Sequence, residues 1–183
     1  CDALGGTYKG KKLGSFGDLS TFSFYPAHHI TTGEGGAVLV KKAAHKTIVE
    51  SLRDWGRDCW CAPGCDNTCL KRYEWQLGEL PAGYDHKYTY SHLGYNLKSG
   101  DIQAAIGRCE LRAYPSNLLR RKEIASRYIE ALSDRDWCVL PILEDAHRET
   151  AYHLFSIRIQ GFTSTKRDSL MQLLKQDGIA TNV

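Results

Sequence analysis

The sequence predicts an α/β fold. Two strand-like segments, residues 19–24 and 36–40, precede a helical segment at 43–55, and helical and extended segments alternate again from residue 99 onward. Between these halves, residues 56–90 lose all apolar periodicity and are rich in Gly, Pro, Cys, Trp and Tyr. A loop of that length within a domain is usually functional.

The first 18 residues are glycine-rich and irregular. Residues 36–40, Gly-Ala-Val-Leu-Val, sit between a Gly-Glu-Gly-Gly turn and the Lys41-Lys42 pair, which is the pattern of a short buried strand. Ser99 is the expected N-cap of a helix whose inner face is set by Ile102, Ala105, Ile106 and Cys109, spaced i, i+3, i+4, i+7. Tyr114-Pro115 predicts its end, because the residue before proline is pushed out of the helical region. A second helix is expected from about Asn117, with Ala125, Tyr128, Ile129 and Leu132 as its apolar stripe. An extended stretch around residues 139–142 follows. Next comes a strand in which His153, Phe155, Ile157 and Ile159 alternate with Leu154, Ser156, Arg158 and Gln160. The last helix is expected to be capped at Ser164 or Thr165 and stopped by Gly178. Cys109 and Cys138 fall on apolar faces and are expected in the core.

The 24 basic and 21 acidic residues give a net charge of +3, and no apolar run approaches the roughly 18 residues of a membrane span. Polycationic, transmembrane-helix and disordered classes are excluded. Trp55, Trp60, Tyr73, Trp75, Tyr84, Tyr88 and Tyr90 interleave with Arg53, Arg57, Lys71 and Arg72, as a nucleic-acid stacking surface would. The small net charge lacks the corresponding electrostatic footprint, so packing around a metal cluster or docking of a redox partner fits better. Seven cysteines, an odd number, occur with no secretory leader, and residue 1 is not Met. The expectation is a piece of a longer cytoplasmic chain whose thiols hold a metal. On spacing alone, Cys59-x-Cys61-x3-Cys65-x3-Cys69 suits either a four-thiolate zinc site or an iron–sulfur site, without the paired C-x2-C knuckles usual for zinc.

The segment Ser20-Thr21-Phe22-Ser23-Phe24-Tyr25-Pro26-Ala27-His28-His29-Ile30-Thr31-Thr32-Gly33-Glu34-Gly35-Gly36-Ala37-Val38 is the most informative in the chain. It resembles the cofactor-anchoring segment of the DegT/DnrJ/EryC1/StrS sugar aminotransferases. Members of this fold type I family use pyridoxal phosphate and read roughly Ser-Phe-aromatic-Pro-x-Lys-x-Ile-Thr-x-Gly-Glu-Gly-Gly. The resemblance extends through Asp2-Ala3-Leu4-Gly5 and Tyr8-Lys9-Gly10-Lys11 before it. It continues through Gly94-Tyr95-Asn96-Leu97-Lys98 and Asp101-Ile102-Gln103-Ala104-Ala105-Ile106-Gly107 after it, covering most of residues 1–113 in the family's order. It implies that residues 1–115 are the C-terminal part of the large cofactor-binding domain, including an iron–sulfur loop at 56–90. Residues 116–183 would begin the small C-terminal α/β domain.

At one position the chain departs from the family. His28 stands where the family carries the lysine that bonds to the cofactor aldehyde. Imidazole has no primary amine, but it exchanges a proton near neutral pH. The cofactor is then expected as pyridoxamine phosphate, with His28 as the base that removes its C4′ proton. This lysine-to-histidine exchange marks the nucleotide-sugar 3-dehydratases of the family. His29 is the adjacent competitor for that role, and a structural histidine in an inactive homologue is the plain alternative.

Cys1 is followed by 57 residues to Cys59, one to Cys61 and seven to Cys69. This resembles the [2Fe-2S] ligand pattern of the family's iron–sulfur dehydratases. It nominates Cys1, Cys59, Cys61 and Cys69 as ligands and leaves Cys65 a bystander; thiols held merely by the Pro63-Gly64 turn are the alternative. The resemblance also puts the Ser23 hydroxyl on the cofactor phosphate and Asp2 near the ring hydroxyl. Asn96 would reach a phosphate of the neighbouring subunit, which implies a homodimer. The carboxylate that pairs with the pyridinium nitrogen is expected just upstream of Cys1. Together these imply C3 dehydration of a nucleotide-linked 4-keto-6-deoxyhexose, with electrons from an NAD(P)H-dependent flavin or iron–sulfur reductase. The rivals are a sugar aminotransferase, a cluster-free 3-dehydratase and a non-catalytic zinc-stabilised interaction module.

Overall fold

The computed structural model describes residues 2–61, 64–141 and 145–182. Its elements in chain order are β1 (Thr7–Tyr8), β2 (Lys11–Lys12), β3 (Leu19–Ser23), β4 (Gly36–Val40), α1 (Ala43–Arg53), α2 (Asp101–Leu132), β5 (Cys138–Val139), β6 (Arg148–Glu149), β7 (Arg158–Ile159) and α3 (Ser164–Gln176). The mixed α/β class expected from the sequence is the one observed. Cys1 and residue 142 of the expected extended stretch lie outside the described residues.

Lys9 and Gly10 both have positive φ, 48° and 71°, and close the two-residue turn between β1 and β2. The other edge of β1 pairs antiparallel with β6, Thr7 opposite Glu149 and Tyr8 opposite Arg148. This pairing brings the segment after β6 to the start of the chain. β3 and β4 form a five-pair antiparallel ribbon from Leu19↔Val40 to Ser23↔Gly36, with α1 packed beside β4. The ribbon is less buried than its apolar sequence predicts: Val38 and Leu39 remain about half exposed.

Three expectations are corrected in α2. Its N-cap is Gly100 rather than Ser99, with the Gly100 N–H donating to Gln103 Oε1 at 2.9 Å. The helix does not end at Pro115 but runs through it to Leu132. Proline lacks only its own N–H, so the Leu111 carbonyl alone loses its helical donor, at a cost of up to about 3 kcal/mol. Contacts on both sides of the proline offset that cost. Tyr114 donates its hydroxyl to the Leu4 carbonyl, and Arg121 Nη1 donates to the Tyr152 carbonyl at 3.2 Å. Before Pro115 the buried stripe is also rotated from the one expected, whereas Ala125, Ile129 and Leu132 of the stripe expected after it do face inward. Gln103, Gly107, Glu110, Tyr114, Leu118, Arg121, Ala125, Ile129 and Leu132 face inward at helical spacing, whereas Ile102, Ala105, Ile106 and Cys109 are exposed. Cys109 is accordingly not a core residue, and Cys138 is half-buried.

The expected strand from His153 to Ile159 is realised only at Arg158–Ile159, where β7 pairs with the two residues of β5. Tyr152 has φ 50°, which breaks an extended run at its start. His153 and Phe155 then pack on rings instead of joining a ladder: Phe155 stacks on Tyr128 with centroids 5.2 Å apart. The α3 cap is Thr163, whose Oγ1 accepts from the Lys166 N–H at 3.3 Å. Beyond Gln176, Gly178 at φ 79° ends the helix by donating to Lys175 O while Ile179 donates to Leu174 O.

The long loop closes at its base by direct backbone contact. A Cβ on Gly56 would lie 1.8 Å from the His92 carbonyl oxygen, and one on Gly94 2.2 Å from the Gly56 nitrogen. Only glycine permits that approach. Bridges Asp54↔Asn96 and Arg57↔Tyr90 continue the closure, and a 3-10 turn at His86–Tyr88 lies within the loop.

Candidate functional site

Two clusters of chemically capable side chains emerge from this framework. The first forms where the loop after β3 meets the segment after β6. His28 Nδ1 lies 2.9 Å from Asp2 Oδ1 as an ion-pair contact, and His153 Nε2 lies 3.9 Å from the same oxygen. The His153 ring stands between its neighbours, 5.1 Å from the His28 centroid and 5.3 Å from that of His29. Tyr25 meets His28 edge-on at 6.3 Å.

His29 is differently placed. It is 5% exposed, and its Nε2 lies 2.8 Å from the Ala151 carbonyl oxygen. A carbonyl only accepts, so Nε2 carries the proton and cannot take another. Burial holds the His29 pKa below the usual 6.5, only partly opposed by the Ala151 hydrogen bond. His28, by contrast, has its Nδ1 on the Asp2 side. A proton held there leaves the Nε2 lone pair available as a base.

The anchoring loop is fixed by its own hydroxyls. Ser23 Oγ accepts from the Tyr25 N–H at 3.3 Å, Thr31 Oγ1 donates to the Phe24 carbonyl at 3.0 Å, and Thr32 Oγ1 donates to the Glu34 carbonyl at 2.8 Å. α2 docks on the same loop: Gln103 Nε2 donates to the Glu34 carbonyl at 2.9 Å, and a Cβ on Gly107 would stand 3.0 Å from Thr32 Cγ2. Buried His153 Nδ1 lacks a hydrogen-bond partner among the described residues. An unsatisfied buried ring nitrogen on His153, next to the His28–Asp2 pair, suits a polar aromatic ligand such as a pyridoxal-type cofactor.

The second cluster lies in the long loop. Cys59, Cys61 and Cys69 line one cavity of about 230 Å³, whereas Cys65 is exposed and outside its lining. The Thr68 hydroxyl beside Cys61 stabilises its thiolate and brings that thiol down to about 7, while burial pushes the Cys59 thiol up. Arg57, Arg72, Lys87 and Lys98 line the cavity against only two carboxylates, Asp54 and Asp66. The surplus of positive charge suits a group held by several thiolates. Its walls are braced by Arg72, which grips Asp85 through Nε at 2.9 Å and Nη2 at 2.6 Å, and by Lys98, 2.7 Å from Asp54. These donors fit an iron–sulfur centre.

Of the residues nominated from the sequence, the structure brings Asp2 to His28 and gathers Cys59, Cys61 and Cys69. Asn96 is held opposite Asp54 at the loop base. Two residues were missed. His153 was read as a strand position, and no local signal ties it to residues 125 positions earlier. His86 lies among the loop aromatics, and its place inside the cysteine loop was the only available signal.

Comparison with known proteins follows the same lines. The sequence profile of the DegT/DnrJ/EryC1/StrS aminotransferase family matches residues 1–183. The chain is 48% identical over 183 residues to a dTDP-4-dehydro-2,6-dideoxy-D-glucose 3-dehydratase of Saccharopolyspora spinosa, covering 100% of this chain and 39% of that protein. It is 50% identical over 184 residues to the lipopolysaccharide biosynthesis protein RfbH of Salmonella typhimurium, covering 100% and 42% respectively. The chain thus spans about two fifths of the length of these curated relatives. Among solved structures, Spr1654 of Streptococcus pneumoniae, described as a sugar aminotransferase, superposes in its PLP form with a TM-score of 0.77 at 27% identity. That match covers 98% of this chain and 41% of the other. The PMP form of the same protein gives 0.78.

Proposed function

The chain belongs to the DegT/DnrJ/EryC1/StrS aminotransferase family, and on that premise we propose that it forms part of a nucleotide-sugar 3-dehydratase resembling CDP-4-keto-6-deoxy-D-glucose 3-dehydrase. The reaction is removal of the C3 hydroxyl from a CDP-linked 4-keto-6-deoxyhexose in 3,6-dideoxyhexose and O-antigen synthesis. Residues 1–115 would belong to the large domain and 116–183 to the small one, in a homodimer. The observation that carries this reading is His28 at the family's lysine position inside an otherwise intact anchoring segment.

Pyridoxamine phosphate, when bound, supplies an amine that condenses with the sugar ketone and a ring that accepts negative charge. Ser23 would bind its phosphate, and Asn96 a phosphate across the dimer. His28 would accept the C4′ proton at Nε2, with Asp2 beside Nδ1 orienting the ring and stabilising the imidazolium that results. Elimination of the C3 hydroxyl without an amino-group transfer leaves a need for two electrons. A [2Fe-2S] centre, when bound, supplies electrons one at a time. Cys59, Cys61 and Cys69 would hold it together with Cys1, and an NAD(P)H-dependent flavin or iron–sulfur reductase would refill it. Because one relative is named for a dTDP-sugar, the nucleotide preference is tested by comparing CDP- and dTDP-linked substrates.

The test uses the intact protein purified anaerobically. Broad absorption beyond about 400 nm that dithionite bleaches supports the cluster, whereas a colourless, zinc-containing protein refutes it. His28→Asn should slow exchange of the C4′ proton by at least about 10²-fold while cofactor binding remains measurable. An unchanged exchange rate would remove His28 from its role.

A further inference from the structure

His86 is the one side chain with 0% exposure among the described residues, yet it sits in a loop built of turns. Its ring stacks on Trp75, with centroids 4.2 Å apart at 24°, and Trp60 lies parallel beyond at 6.2 Å. The backbone holds it from behind, where His86 N donates to the Arg72 carbonyl at 3.2 Å and Arg72 is itself clamped to Asp85. Nε2 lies 3.7 Å from Cys69 Sγ, whereas Nδ1 is buried without a hydrogen-bond partner among the described residues. His86 also lines the cavity shared by the three cysteines.

We infer that His86 is a positioning residue for the metal centre, donating a hydrogen bond from Nε2 to the Cys69 thiolate and raising the centre's reduction potential. This rests on the iron–sulfur reading given above. A metal-bound thiolate has no proton to give, so a nitrogen at hydrogen-bond distance must be the donor. A neutral ring protonated instead at Nδ1 would bury an unpaired N–H and set two lone pairs against each other. Full burial of the ring keeps water from Nε2, and the Trp75 stack with the His86 N–H bond to the Arg72 carbonyl stops it from turning away. A hydrogen bond to a ligand sulfur withdraws charge and favours the reduced, more negative cluster.

The experiment is a redox titration of the intact protein, followed by the dithionite-reduced EPR signal. His86→Phe keeps an aromatic plane stacked on Trp75 but removes the donor; its midpoint potential should be more negative than that of the unsubstituted protein. His86→Gln, which restores an N–H at the ε position, should recover most of the shift. An unchanged potential in His86→Phe with the cluster in place overturns the inference. Should His86→Phe fail to assemble a cluster, pulsed EPR of unsubstituted protein labelled with 15N-histidine decides. A weakly coupled imidazole nitrogen supports a hydrogen bond to sulfur, while no histidine coupling, or the strong coupling of an iron-bound imidazole, overturns it. Unsubstituted protein without any iron–sulfur signal refutes the cluster reading itself, a result distinct from a cluster indifferent to His86.

Discussion

The Nδ1 atom of His28 lies 2.9 Å from Asp2 Oδ1, joining the first turn of the chain to the anchoring loop. A carboxylate at that nitrogen favours the tautomer whose Nε2 lone pair is free. His28→Asn should therefore lower C4′ proton exchange by about 10²–10⁴-fold. Asp2→Asn should cost less, on the order of 10–100-fold, as expected when an orienting partner is lost. Both are measured by solvent-isotope exchange into the cofactor with binding monitored separately.

The three thiols of the cavity and the exposed Cys65 make a sharp comparison. Cys59→Ser or Cys61→Ser should abolish stoichiometric iron and the visible band, and Cys65→Ser should leave both in place. Iron and sulfide analysis of anaerobically purified variants gives the answer; iron lost from Cys65→Ser would reassign the ligand set.

Cys61 ionises at about 7 because the Thr68 hydroxyl stabilises its thiolate, whereas burial raises Cys59. In cluster-free protein, alkylation of Cys61 by iodoacetamide should rise through about pH 7 and outpace that of Cys59 at neutral pH. Peptide mass analysis after timed quenching measures the two rates.

Burial depresses the His29 pKa in the folded state, so the unfolded chain takes up this proton first as pH falls below 6.5. The stabilising contribution is present above 6.5 and is lost as pH falls through the folded-state value. Urea unfolding should show the unsubstituted protein losing more stability as pH falls below 6.5 than His29→Gln, which keeps a donor for the Ala151 carbonyl.

Continuity of α2 through Pro115 is testable by two substitutions. Pro115→Ala returns a donor to the Leu111 carbonyl and should stabilise the protein, by up to about 3 kcal/mol if the helix needs no kink. Tyr114→Phe removes the hydroxyl that reaches the Leu4 carbonyl and should cost about 1 kcal/mol. Thermal and urea unfolding report both.

The positions of β3, β4, α1 and α3 were legible within a residue or two because their signals are local: alternation, turn glycines and caps. α2 was misread because a proline rule that acts locally lost to contacts from Leu4 and Tyr152. The strand expected from His153 failed because alternation cannot supply a partner strand.

The sequence by itself determined the family motif, the histidine in place of lysine and the crowding of Cys59, Cys61 and Cys69, since each is a matter of residue type and spacing. Only the tertiary structure decided which histidine has its Nε2 held by a backbone carbonyl. Pairing of β1 with β6 carries Ala151 to His29 and His153 to His28, and a carbonyl claims Nε2 of one ring while leaving the other. It likewise decided that Cys65 is exposed outside the cavity lining and that His86 lies within it, because burial depends on chain segments that no short window of sequence contains.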